Sequence, residues 1–187
     1  TSPKNCSMPQ RNWLPSFQRR RPNKLLIQQS IQQLNLASGH VERLRQEMNA
    51  LASTLPEYNT VMGIYGVGKT YGPQLIAEIG DVSRFTHREA LTAFAGVDPG
   101  VDESGQHKSK SNRASKVGSA RLRKTLFQIM TTLLQNAPED DPVYRFLDKK
   151  RAQGKPYYVY MTAGANKFLR IYYGKVKECL RNLEQAE

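Results

Sequence analysis

Between Ser104 and Pro138 the chain carries seven cations and no acid: Lys108, Lys110, Arg113, Lys116, Arg121, Arg123 and Lys124. Four serines, Ser104, Ser109, Ser111 and Ser115, lie in the loop over 101–118. A serine hydroxyl can attack phosphorus where cations or a metal stabilise the charge that develops. Cations without counter-charges suit a phosphate backbone, and each phosphate contact steepens the salt dependence of binding by about 0.9 log units per log of salt. Ser104 differs from the other serines in its neighbours. Asp102 and Glu103 precede it, and Gly105 follows, where the missing side chain lets a substrate backbone come close. His107 could orient or deprotonate it. Spacing alone does not separate Ser104 from a solvated loop hydroxyl.

A second candidate is Gly63 to Thr70, Gly-Ile-Tyr-Gly-Val-Gly-Lys-Thr. It matches the phosphate-loop pattern G-x-x-x-x-G-K-[ST], which cradles nucleotide phosphates after a buried strand of a parallel sheet. Residues 56–62 give no such strand, and no later apolar strand ends in an Asp for Mg²⁺. The match is therefore read as accidental. The alternative is a helix-hairpin-helix over about 60–80, with Gly66-Val67-Gly68 as the tight turn. The free N–H groups of the following helix, with Lys69 and Thr70 beside them, would then face a nucleic-acid phosphate.

Metal chemistry has little support. His40, His87 and His107 are scattered, and His40 and His87 read as surface residues. No His, Cys and acid cluster has metal-ligand spacing. Asp81, Asp98, Asp102 and Glu103 are too spread to suggest a two-metal site. Cys6 and Cys179 form neither a metal spacing nor a disulfide framework, which fits a reducing cytoplasm.

These residues need a scaffold, and every periodic segment reads helical. Residues 1–23, rich in Pro, Asn, Ser and Arg, read as a flexible basic linker. Over 24–57 an arm is expected. Ile27, Ile31, Leu34 and Ser38, then Val41, Leu44, Met48, Leu51 and Leu55, step by threes and fours in a coiled-coil pattern that slips near Gly39, and Pro56 ends it. The compact domain is expected over 58–187. Its helices are about 70–79 with Gly80 as C-cap, a unit within 81–96 capped by Thr86, 120–136 capped by Ser119, 143–153, and 157–187. The core face of 120–136 would be Leu122, Leu126, Ile129, Leu133 and Leu134; that of the last helix Leu169, Tyr172 or Tyr173, Val176, Leu180 and Leu183. Residues 101–118 have no helical period and read as a polar loop. The expected fold class is all-α: a long coiled-coil-like arm, then a compact helical domain with the hairpin and the basic loop.

Lys and Arg total 28 against 16 acids, a net charge of +12 and a pI near 9.9. That balance calls for a polyanionic partner. No apolar run reaches membrane-spanning length, and the first residues lack the apolar core of a signal peptide. The length allows one domain plus an extension.

Several ordered segments then narrow the reading. They are Met62 to Gly68, Ala77 to Asp81, Arg84-Phe85, Ala93 to Pro99, Glu103-Ser104-Gly105, Ser115 to Gly118 and Leu122-Arg123. In this order, over about residues 58–175, they resemble the C-terminal domain of the DEDD-type insertion-sequence transposases, a family that includes the bridge-RNA-guided recombinases and the Piv-type DNA invertases. The resemblance implies a serine nucleophile in the Glu-Ser-Gly step, which is Ser104 here. It forms a covalent 5′-phosphoserine link to DNA. Ser115, in the Ser-Lys-x-Gly step, would position phosphate or cap structure. The family also implies a RuvC-like domain whose Asp-Glu-Asp-Asp set binds Mg²⁺, a structured guide RNA, and a dimer or tetramer, for which the helical arm is the natural route. The setting would be the bacterial cytoplasm and nucleoid.

This sequence departs from the pattern at Val61-Met62-Gly63, where the family hairpin usually begins Ile-Pro-Gly. It also lacks the acidic quartet, so no cofactor is expected in this chain, and the chain alone is expected not to cleave DNA. A non-catalytic helix-hairpin-helix binding module and a nucleotide hydrolase are the competing readings.

Overall fold

The computed structural model describes residues 24–100 and 114–185, with the backbone of 103–104 and 107–108. The linker expected over 1–23 lies outside the described residues. The chain divides into one unit ending at Leu44 and a second beginning at Arg45.

Helix α1 (Lys24–Ala52) runs through that boundary. In the first unit its apolar positions Ile27, Ile31, Leu34, Val41 and Leu44 are all exposed. It stops at Ala52, short of the expected end. Ser53 Oγ and Thr54 Oγ1 donate to the carbonyls of Ala50 and Leu51 at 2.7 Å each. Such local side-chain bonds compete with helix continuation, and Pro56 follows.

The second unit is all-α. Its helices are α2 (Tyr58–Met62), α3 (Tyr71–Ile79), α4 (Arg88–Ala95), α5 (Ala120–Asn136), α6 (Pro142–Ala152) and α7 (Tyr157–Glu184). The unit expected over 81–96 is broken. Asp81 accepts a hydrogen bond from the Ser83 amide at 2.8 Å and closes a 3-10 turn over Val82–Arg84. Phe85 is then extended, and α4 starts afresh. Its N-cap is His87 rather than Thr86: the imidazole Nδ1 accepts from the Ala90 amide at 3.1 Å. That same nitrogen lies 3.7 Å from Glu89 Oε2.

Helix α5 spans the expected residues. Ser119 Oγ accepts from the Leu122 amide at 3.1 Å, and Ala137 in the left-handed region closes the other end. Leu122, Leu126, Ile129, Met130 and Leu133 are fully buried or nearly so, each stabilising the fold by about 1.5–3 kcal/mol. Leu134, expected in that row, is only partly buried. Helix α6 is started by the buried Asp141, whose Oδ1 accepts from the amides of Val143 and Tyr144 at 2.8 and 2.7 Å. Helix α7 is the hub, packing against α2, α4, α5 and α6. Its buried row includes Phe168, Leu169, Tyr172, Tyr173 and Val176, while Leu183 at the far end is 44% exposed. Burial, with the Glu57 charge behind it, pushes the Tyr172 phenol above its ordinary value of 10, so it stays protonated.

The one strand pairing among the described residues is a hairpin within the expected loop, β1 (Glu103–Ser104) against β2 (His107–Lys108).

The segment 63–70 follows a helix, α2, not a strand, and no parallel sheet surrounds it among the described residues. It is not built as a phosphate loop. Its two central glycines have different surroundings. Gly66 has φ +81°, and a Cβ there would lie 3.0 Å from Leu133 Cγ and 3.1 Å from Ile129 Cγ2. Gly68 faces open space. Gly66→Ala is thus expected to cost roughly 2 kcal/mol or more, from left-handed strain plus overpacking, lowering Tm by roughly 4–8 °C. Gly68→Ala should shift Tm by less than about 2 °C. Equal melting of the two variants would refute this account of the turn.

Candidate nucleic-acid interface and serine loop

The segment that carries Ser104 lies in the chain between α4 and α5. Its departure is set by Gly96, which ends α4 in the left-handed region at φ 65°. Its return is set by residues 115–119, which lie along the last turn of α4. The Lys116 amide donates to Gly96 O at 3.2 Å and the Ser119 amide to Phe94 O at 2.8 Å. Gly118 has φ 132°, and a Cβ there would collide with the Phe94 carbonyl oxygen. Lys116 itself has φ 53°, an uncommon conformation for a side-chain-bearing residue.

Two contacts join the feet of the loop. Ser115 donates through its amide to Asp98 O at 3.0 Å and through Oγ to Asp98 Oδ1 at 2.5 Å. Pro99 and Ala114 form an isolated antiparallel bridge. Further out, the β1–β2 register sets His107 opposite Ser104 and Lys108 opposite Glu103. Lys110 and Arg113 lie outside the described residues.

The feet open onto a cleft of about 1820 Å³ walled by α4, α5, α6 and α7. Lys116, Arg123 and Lys124, all expected to contact nucleic acid, line it. They differ in freedom. Arg123 Nη1 donates to the Ala95 carbonyl at 3.1 Å, so part of its guanidinium holds the end of α4. Lys124 and Lys116 are exposed, and among the described residues neither is in an ion pair. Ser115 is likewise committed, to Asp98.

Four further wall residues were not singled out from sequence: Phe146 on α6, and Tyr158, Lys167 and Arg170 on α7. The signal was present in part, since Lys167 and Arg170 sit off the buried row of α7. What sequence did not show is that α6 and α7 share a cleft wall with the loop's feet, Pro99 and Ala114. Glu89, an acid in this wall, accepts from Arg88 Nε at 2.9 Å and from Arg170 Nη2 at 3.0 Å. The Arg88 hydrogen bond, backed by a backbone amide and the Arg170 charge, holds its carboxyl below the ordinary 4.5.

The hairpin residues Gly66, Gly68, Lys69 and Thr70 are not part of this cleft. Gly66 meets α5 at Ile129 and Leu133, roughly 8–14 Å along the axis from Lys124. Lys69 is exposed, and Thr70 precedes α3 without a side-chain cap bond. Arg121 is exposed and lies outside the cleft lining. Among the described residues, no three His, Cys, Asp or Glu side chains are placed to hold a metal ion. No described helix is long and apolar enough to cross a membrane.

Residues 58–145, from the start of α2 to the middle of α6, match the model of the transposase IS116/IS110/IS902 family. That span includes the hairpin, α4, the serine loop with both feet, and α5. The match covers just under half of the 187-residue chain. Among curated proteins, the chain is similar to the pilin gene-inverting proteins of Moraxella bovis and Moraxella lacunata. Each is 26% identical over 145 residues, spanning 75% of this chain and 44% of the relative. The chain thus covers less than half the length of these relatives.

The Ser115–Asp98 contact gives a test of the loop feet. Ser115→Ala and Asp98→Ala should each lower urea stability, with a coupling energy of about 1–2 kcal/mol in a double-mutant cycle. Additive single effects would mean that the two side chains do not act together.

Proposed function

We propose that this chain is the serine-bearing, DNA-binding part of a DNA transposase or site-specific recombinase. The observation that carries the reading is that the family match, over residues 58–145, spans the glycine turn at 66–68, the serine loop and its feet. Ser104 Oγ gives up its proton and bonds to the scissile phosphorus, and the P–O3′ bond breaks. The strand's 3′-hydroxyl leaves, having taken up a proton, and its 5′-phosphate stays on the serine. The phosphoester conserves the bond energy, so attack by an incoming 3′-hydroxyl reverses the step on a new strand. His107, opposite Ser104 in the hairpin register, is the candidate to take the serine proton. Lys108, Lys110, Arg113, Lys116, Arg121 and Lys124 balance phosphate charge.

The Asp-Glu-Asp-Asp set and its Mg²⁺ are assigned to a RuvC-like domain outside residues 1–187, and we derive no step through them. A structured guide RNA selects donor and target sequences. The exposed apolar row of α1 pairs with a second copy, which brings nucleophile and metal domain together from different protomers.

A second reading, a helix-hairpin-helix module that only binds, is favoured by Lys69 standing exposed ahead of the uncapped first turn of α3. A covalent trap separates the two. The full-length parent protein, with its RNA, Mg²⁺ and a nicked DNA that stalls after attack, is run on a denaturing gel beside Ser104→Ala and Ser115→Ala. We expect an adduct that is lost in Ser104→Ala and retained, at reduced yield, in Ser115→Ala. No adduct in any lane, with DNA binding intact, would favour the binding module.

A further inference from the structure

We propose that the cleft between α4, α5, α6 and α7 holds an unpaired DNA strand, with a base stacked on Tyr158 and phosphates on Lys116, Lys124 and Lys167. The inference rests on the recombinase reading above and names the form of DNA that meets the serine loop.

Size comes first. At about 1820 Å³ the cleft exceeds the ~300–1,000 Å³ typical of small-molecule sites. It is an open trough suited to a segment of polymer. Charge comes second. Lys116, Lys124 and Lys167 take no part in an ion pair among the described residues, whereas the two acids in the wall are engaged, Glu89 by Arg88 and Arg170 and Asp98 by the Ser115 hydroxyl. The trough is left with cations to spare, as a phosphate backbone requires.

The aromatic wall decides between paired and unpaired strands. Tyr158 is 73% exposed, with the Tyr157 ring edge-on to it at 5.3 Å. A large ring held in solvent at the rim of a basic cleft offers a π-face. A base can lie on that face only when its own faces are not taken by the stack of a duplex. Deeper in the cleft, the half-buried Phe146 ring lies 4.9 Å from Lys167 Nζ and 5.6 Å from Lys150 Nζ. The ring keeps the Lys167 ammonium at the cleft without neutralising it. Alternation of cations and aromatic faces is the pattern of single-strand grooves. Position comes last: Pro99 and Ala114, the bridged feet of the Ser104 loop, form part of the same wall. A strand in the cleft passes the root of the loop that carries the nucleophile.

The test uses the full 187-residue chain and fluorescence anisotropy with three probes: a short oligo-dT, a duplex of equal length and an oligo-rU. Wild-type chain should bind oligo-dT more tightly than oligo-rU. Tyr158→Ala should weaken oligo-dT binding about tenfold and leave duplex binding unchanged. Lys124→Ala should reduce the salt slope for oligo-dT by roughly 0.7. Both side chains are exposed, so melting temperatures should match wild type. Unchanged oligo-dT binding in Tyr158→Ala, or equal losses on the duplex, would overturn the proposal, and so would equal or tighter binding of oligo-rU. Ser104→Ala should bind oligo-dT normally. If Ser104→Ala still forms the covalent adduct while Tyr158→Ala loses oligo-dT, the nucleophile assignment falls and the cleft stands. The opposite pattern removes the cleft alone.

Discussion

The close approach of residues 115–119 to the last turn of α4 is the constraint on which the site depends. Two glycines permit it. At Gly118 any Cβ would strike the Phe94 carbonyl, and at Gly96 a Cβ would lie 2.8 Å from Val117 O. Backbones that near exchange hydrogen bonds directly, Ser119 to Phe94 and Lys116 to Gly96. Several features follow from that one contact. Ser119 is placed to cap α5 and to donate to Glu78 of α3 at 3.1 Å. Asp98 is brought level with Ser115. Arg123, one turn into α5, reaches the Ala95 carbonyl. The loop feet, the start of α5 and the cleft floor are therefore fixed together, and close packing leaves little room to move one without the others.

Helical periodicity and its punctuation made most of the fold legible. α5 could be read to its ends because Ser119 caps it, four leucine and isoleucine positions share one face, and Pro138 follows. The failures have local causes. Side-chain hydroxyls at Ser53 and Thr54 outcompeted the arm's last turn, and the Asp81 carboxylate drew residues 82–84 into a 3-10 turn. His87 capped α4 through a ring nitrogen, a use that preference lists for caps do not weight. For the site, the run Ser115-Lys116-Val117-Gly118 stood out in sequence, but the reason for its glycine did not, because the carbonyl it avoids is 24 residues earlier. The cleft was hidden for the same reason. Its walls come from four helices, and no window along the chain contains Lys124 and Tyr158 together.

A net charge of +12 also says less than its local distribution. Glu89 is ionised but surrounded by guanidinium groups, so it subtracts little from the field in the cleft. Arg123 is partly spent on structure, and exposed pairs such as Arg151 with Asp148 contribute little either way. What remains for a polyanion is a set of ammonium groups on flexible stems at the cleft, and Lys69 at the hairpin on another stretch of α5. Lysine suits contacts that must follow a backbone rather than clamp one geometry. The rigid parts of the domain then carry the orientation, and the lysines supply attraction without demanding a fixed register.

That division bears on how a serine could be held for attack. A nucleophile must sit within a few tenths of an ångström of its attack geometry for proximity to contribute. A two-stranded hairpin is marginal by itself in water, and residues 101–113 contain a single aliphatic side chain, Val101, so apolar burial contributes little to holding Ser104. In the proposed function the remaining constraints are the Asp98–Ser115 and Pro99–Ala114 feet beneath the loop and the phosphates bound by its cations. The feet set where the hairpin can reach, and the strand completes the geometry.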